Sequence, residues 1–121
     1  MYKVQNLGAF WEKTTNSLIP LGGIVIKRSL PQEVKEKVNK LIHESVEFAF
    51  ANPTSGIDYI RSHAQEMEED VMYKHIELYV NQYSSYLGEV GREAIRQMFT
   101  RAHELNLIPA SKKNVFLIEK E

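Results

Sequence analysis

The stretch Leu18-Ile19-Pro20-Leu21-Gly22-Gly23-Ile24-Val25-Ile26-Lys27-Arg28 governs the reading of this chain. Its apolar run is β-branched at Ile24, Val25 and Ile26 and too short to span a membrane as a helix, so it reads as a strand. Apolar residues on both faces indicate a strand buried on both sides. The glycine pair weakens such a strand, and marks a bend or a place where a ligand or another backbone comes close.

Working outward, Lys3–Leu7 reads as a short strand closed by Gly8, and Ala9–Thr15 as a short helix that Asn16-Ser17 breaks. Beyond Ser29 the pattern is helical. Pro31 suits a first turn, and Val34, Val38, Leu41, Ile42, Val46 and Ala49 recur at helical spacing until Asn52-Pro53. A short helix holds Ile57, Ile60 and Ala64. A third, acidic at its start from Glu66 to Asp70, carries Met72, Ile76, Tyr79, Val80 and Tyr83 and stops at Gly88. A fourth runs from Val90 to Leu105, and Val115–Ile118 is a closing-strand candidate. Three segments result: strand–helix–strand over 1–28, four helices over 29–109, and a tail over 110–121. A doubly buried strand needs neighbours on its edges. The fold class is therefore α/β, mostly helical as the chain stands, and the sequence reads as part of a larger protein.

Composition narrows the function. The 121 residues are 43% hydrophobic and 26% charged, as in ordinary globular proteins. Fifteen basic residues face sixteen acidic ones for a net charge of -1, so neither nucleic acid nor an anionic membrane is an expected partner. The absence of cysteine excludes disulfides, thiolate metal sites and a Cys nucleophile. With no apolar leader at the start, the expected location is the cytoplasm.

Four histidines, His43, His63, His75 and His103, fall in different predicted helices with no i, i+4 pair, so no metal is expected. His43-Glu44-Ser45-Val46-Glu47 resembles the start of a zinc-protease motif but ends in Glu47 where the second His belongs. Gly22-Gly23 lacks the helix-opening pattern of a dinucleotide fingerprint. Tyr79, Tyr83 and Tyr86 lie close along one helix, where core packing is the commoner use of such a stripe. Asn81 beside them needs partners if buried.

Two segments carry a resemblance. Leu7-Gly8-Ala9-Phe10-Trp11-Glu12-Lys13-Thr14-Thr15 with Ile19-Pro20-Leu21-Gly22-Gly23-Ile24, and Tyr79-Val80-Asn81-Gln82-Tyr83-Ser84 with Leu87-Gly88-Glu89 and Gly91, resemble the 1,4-dihydroxy-6-naphthoate synthases. The match is collinear to about Pro109, with Asp58–Glu66 fitting the intervening helix. Asn6 stands where the family has an acidic residue, and Asn16 where it has glycine after the Thr. The resemblance implies a two-lobe fold like type 2 periplasmic binding proteins, of which this chain is the C-terminal half. It also implies cleavage of cyclic dehypoxanthinylfutalosine, in menaquinone biosynthesis by the futalosine route, with no cofactor.

Carried over, the substrate-binding candidates are Leu21 and Gly22, which back the cleft, with Asn81 and Tyr83. No catalytic residue is expected here, because the family's His-Glu-Ser segment precedes the Pro-Leu-Gly-Gly strand; His43-Glu44-Ser45 follows it and is a chance likeness. The expected partners are a small-molecule substrate and either a complementing N-terminal half or further copies of this chain. A non-catalytic solute-binding module of the same fold, or an inactive self-associating fragment, are the alternatives.

Overall fold

The structure, a computed structural model, describes residues 4–65 and 68–117. Six helices form among them: α1 (Leu7–Thr15), α2 (Gln32–Ala51), α3 (Ile57–His63), α4 (Glu69–Tyr79), α5 (Gln82–Ser85) and α6 (Gly88–Glu104). They belong to two compact units. One comprises Met1–Gly23 and Leu87–Val115, and so α1 and α6; the other comprises Ile24–Tyr86 and Phe116–Glu121, and so α2 to α5.

Local chemistry explains where most helices begin and end. The α1 helix starts at Leu7 because the Asn6 side chain accepts the Ala9 N–H at 2.9 Å. It stops at Asn16, whose left-handed backbone (φ 53°) turns its N–H onto the Glu12 carbonyl. In α2, the Pro31 carbonyl receives the N–H groups of both Val34 and Lys35, and the far end closes where Asn52 bonds Phe48 through backbone and side chain. The second unit is then tied by polar contacts: Arg61 reaches Glu69 at 2.8 Å, and the Tyr73 hydroxyl donates to the Pro53 carbonyl at 2.9 Å.

Helices form where the sequence places them, with three differences. The segment read as a strand up to Leu7 is instead the cap and first residue of α1; Lys3 lies outside the described residues. The expected third helix is split, because the backbone becomes extended at Val80 and Asn81 and restarts as α5. Gly88, expected as a stop, has φ 63° and begins α6, a conformation that favours glycine.

No strand forms among the described residues. Of Leu18–Arg28, expected as a doubly buried strand, residues Leu18–Ile26 make no backbone–backbone hydrogen bond to another described residue, and Val25 is 92% exposed. A strand exists only with a partner along its edge, and no described residue pairs with this segment. Residues 115–117 of the expected closing strand form no strand, and Ile118 lies outside the described residues.

Burial is sparse. Among the described residues the buried hydrophobic side chains are Met72 of α4 and Ala94 of α6, one in each unit. We expect the chain by itself to bind a hydrophobic dye such as ANS and to unfold over a broad temperature range. A single sharp calorimetric transition without dye binding would contradict this.

Candidate functional site

The four expected ligand-facing residues divide between the units. Leu21 and Gly22 lie in the first, in the extended segment after α1, and both are exposed. A Cβ built on Gly22 or Gly23 would meet nothing within 4 Å, and neither glycine has positive φ. Packing within this chain therefore does not require glycine at either position. Gly8 differs, since a Cβ there would meet Asn6 Oδ1 at 3.3 Å and Ile19 Cγ2 at 3.6 Å.

Asn81 and Tyr83 lie together at the start of α5 in the second unit. The Asn81 Oδ1 accepts the Tyr83 N–H at 3.0 Å. Ser84 Oγ accepts the Asn81 N–H at 3.1 Å and donates to the Tyr79 carbonyl at 3.2 Å. This reciprocal cap starts the helix and holds the bend at Val80. Tyr83 is half-buried, whereas Tyr79 and Tyr86 are largely exposed, so the three tyrosines do not form a packed stripe.

A polar cluster that the sequence did not reveal joins α2 to α5. His43 Nδ1 lies 3.0 Å from the Ser85 carbonyl oxygen and 3.3 Å from Ser85 Oγ, and Ser85 Oγ donates to Glu47. The residue types are those of a hydrolytic triad, but the wiring is not. A carbonyl only accepts, so Nδ1 carries the proton toward it, and the Ser85 proton is committed to the carboxylate. The cluster is a clasp holding the end of α5 on α2. An open hollow of about 470 Å³ beside it is lined by Asn39, His43, Ser84 and Tyr86, among others.

In the first unit, an open hollow of about 520 Å³ is walled by Glu12, Glu89 and Glu93 with Asn16, Ser17, Leu18 and Val90. Arg96 approaches Glu89 at 2.6 Å and Glu93 at 3.3 Å. Its hydrogen bond and charge hold the Glu89 carboxyl below the usual carboxylate range, with a smaller contribution from Arg92. Three carboxylates around one hollow disfavour an anionic ligand there. Among the described residues no group of three or more His, Asp or Glu side chains could hold a metal ion. One polar atom lacks a partner: the Trp11 indole nitrogen on α1 is buried with no acceptor among the described residues.

Two measurements test these assignments. Ser85→Ala or His43→Ala should each release α5, raising hydrogen exchange at its amides at a cost of about 1 kcal/mol, while exchange in α3 stays unchanged. Glu89 should titrate below the ordinary glutamate value by NMR, so its contribution to stability is present at neutral pH and lost as pH falls through its depressed pKa. In Arg96→Gln its titration should move back up; an unchanged value would show that Arg96 is not the cause.

Comparison with known proteins accounts for the two anchor segments. Residues 1–104 match a protein-family model described as menaquinone biosynthesis. The 1,4-dihydroxy-6-naphthoate synthase of Thermus thermophilus is 34% identical over 117 residues, covering 97% of this chain and 43% of the relative. That of Streptomyces coelicolor is 40% identical over 110 residues, covering 91% of this chain and 39% of the relative. The chain thus spans less than half the length of these curated relatives. No helix of the described residues is long and apolar enough to cross a membrane. The two departures from the family pattern also find a physical reason. Asn6 caps α1 as an acidic residue would, and Asn16 takes the left-handed conformation that glycine favours. The chain belongs to the menaquinone-biosynthesis family of the 1,4-dihydroxy-6-naphthoate synthases.

Proposed function

We propose that this chain is the C-terminal portion of a cytoplasmic carbon–carbon lyase of the futalosine route, which converts cyclic dehypoxanthinylfutalosine to 1,4-dihydroxy-6-naphthoate and dihydroxyacetone. The observation that carries this reading is the match of residues 1–104 to the family, together with two relatives of that activity. The whole enzyme would have two lobes like a type 2 periplasmic binding protein. This chain would supply backing for the cleft between them, and a complementing N-terminal portion would supply the acid–base group.

The contributions of this chain are those of shape and contact. Leu21 offers an apolar surface to the substrate ring. Gly22 has no packing reason to be glycine here, so its missing side chain leaves room for a ligand, or for backbone from the rest of the enzyme, to come close. The Asn81 oxygen is engaged by the α5 cap, which leaves its amide N–H groups as the part offered to a ligand. Tyr83, half-buried beside it, adds aromatic surface. No metal or organic cofactor enters the proposed reaction.

The test is conversion of cyclic dehypoxanthinylfutalosine by this chain, alone and mixed with the N-terminal portion of a relative. Activity in the mixture and none in the chain alone is the expected result. A folded, associated mixture that turns nothing over would overturn it. Within the complete enzyme, Leu21→Arg should reduce turnover at least about 100-fold, as a misplaced substrate does, and leave the fold intact. Normal turnover in that variant would remove Leu21 from the cleft.

A further inference from the structure

We infer that His43 and Glu47 of α2 are positioning residues: by clasping Ser85 they fix where Asn81 and Tyr83 meet the substrate. This rests on the proposed function, in which Asn81 and Tyr83 face the ligand, and adds the groups that hold them in place. These residues all lie in one unit of the chain.

The length of α5 is the reason it needs holding. Gln82–Ser85 is four residues long, and a single turn is unstable by itself because nucleation fixes several residues for one hydrogen bond. The backbone is extended on both sides, at Val80 and Asn81 before it and at Tyr86 after it. No continuing helix carries α5 to its place. At its start, Asn81 and Ser84 bond each other, and Ser84 reaches the Tyr79 carbonyl. Those bonds stay within residues 79–84 and set local shape only. The tie to a longer element comes at the other end. The Ser85 carbonyl is one of the last of its helix, which lack an intrahelical acceptor role, and His43 Nδ1 approaches it at 3.0 Å. The Ser85 hydroxyl donates to Glu47. His43 and Glu47 stand one turn apart on the twenty-residue α2. Two anchors spaced along a long helix set the orientation of α5 as well as its distance. Any rotation of α5 turns the Asn81 amide and the Tyr83 ring with it, and a hydrogen bond weakens steeply once its angle falls below about 120°.

Both His43 and Glu47 are exposed on α2, so replacing them leaves no cavity and the fold survives. The test measures kcat and KM for cyclic dehypoxanthinylfutalosine in the complete enzyme, this chain joined by the N-terminal portion of a relative. His43→Ala should raise KM about 5- to 10-fold, the worth of one hydrogen bond to a binding constant, and leave kcat within about twofold. His43→Asn, whose amide nitrogen takes the place of Nδ1, should return most of the loss, and His43→Leu none. Glu47→Gln, which keeps an acceptor for Ser85, should be milder than Glu47→Ala. Asn81→Asp retains the capping oxygen and removes the N–H groups offered to the ligand. In that background His43→Ala should raise KM by much less than it does alone, since the contact it serves is already gone. An unchanged KM in His43→Ala would overturn the proposal, even with a lowered melting temperature. So would a rise that Asn does not rescue, or one fully additive with Asn81→Asp. A folded wild-type complex that turns nothing over would overturn the lyase reading, and this proposal with it. Equal turnover in wild type and His43→Ala would overturn this proposal alone.

Discussion

Hydrophobic burial is the constraint on which this structure turns. With Met72 and Ala94 as the buried apolar side chains among the described residues, little of the area term that ordinarily offsets the entropy of ordering a backbone comes from fully buried groups. What specifies its helices is local. Asn6 satisfies an orphan amide at the start of α1, Asn16 turns the chain at its end, and Asn81 with Ser84 restarts the backbone as α5. The ion pairs, Arg61–Glu69 and Arg96–Glu89 among them, sit largely in water and contribute little each. Helices so specified are well defined along the chain and weakly held to one another.

That distribution bears on chemistry. A catalytic group needs a surrounding that excludes water and fixes its geometry. The one Ser–His–Glu arrangement here is exposed and wired as a clasp, and the acidic hollow beside α1 and α6 is open. Under the proposed function the chain would supply supporting surface: the unhindered glycines after α1 and the capped turn before α5. Family membership gives these features their context, since the matched relatives carry more than as much sequence again beyond the matched region.

The helical part of the fold was legible because amphipathic spacing over α2, α4 and α6 is long and regular, and Pro31 and Asn52-Pro53 punctuate it. The start of α1 was misread because Asn6 belongs both to strand ends and to helix caps, and a single sequence does not say which. The bend at Val80 was hidden for a similar reason: Asn81 lies within an apolar helical stripe that reads through it. For Leu18–Ile26 the composition is that of a strand, but strand formation depends on a neighbour along the edge, which no local pattern supplies. Of the site, Leu21, Gly22, Asn81 and Tyr83 came from resemblance. The His43–Ser85 clasp joins residues 42 positions apart, and no spacing rule connects them.

The unpaired segment from Leu18 to Ile26 has a further consequence in the cell. Exposed backbone donors and acceptors beside Ile24 and Val25 are a template for pairing with any other extended chain. Until that edge is covered, a chaperone or protease competes with correct assembly for the same residues, and the steady-state amount of the protein follows the outcome. If the rest of the proposed enzyme supplies the neighbouring strand, abundance as well as activity would follow the speed with which Leu18–Ile26 is covered.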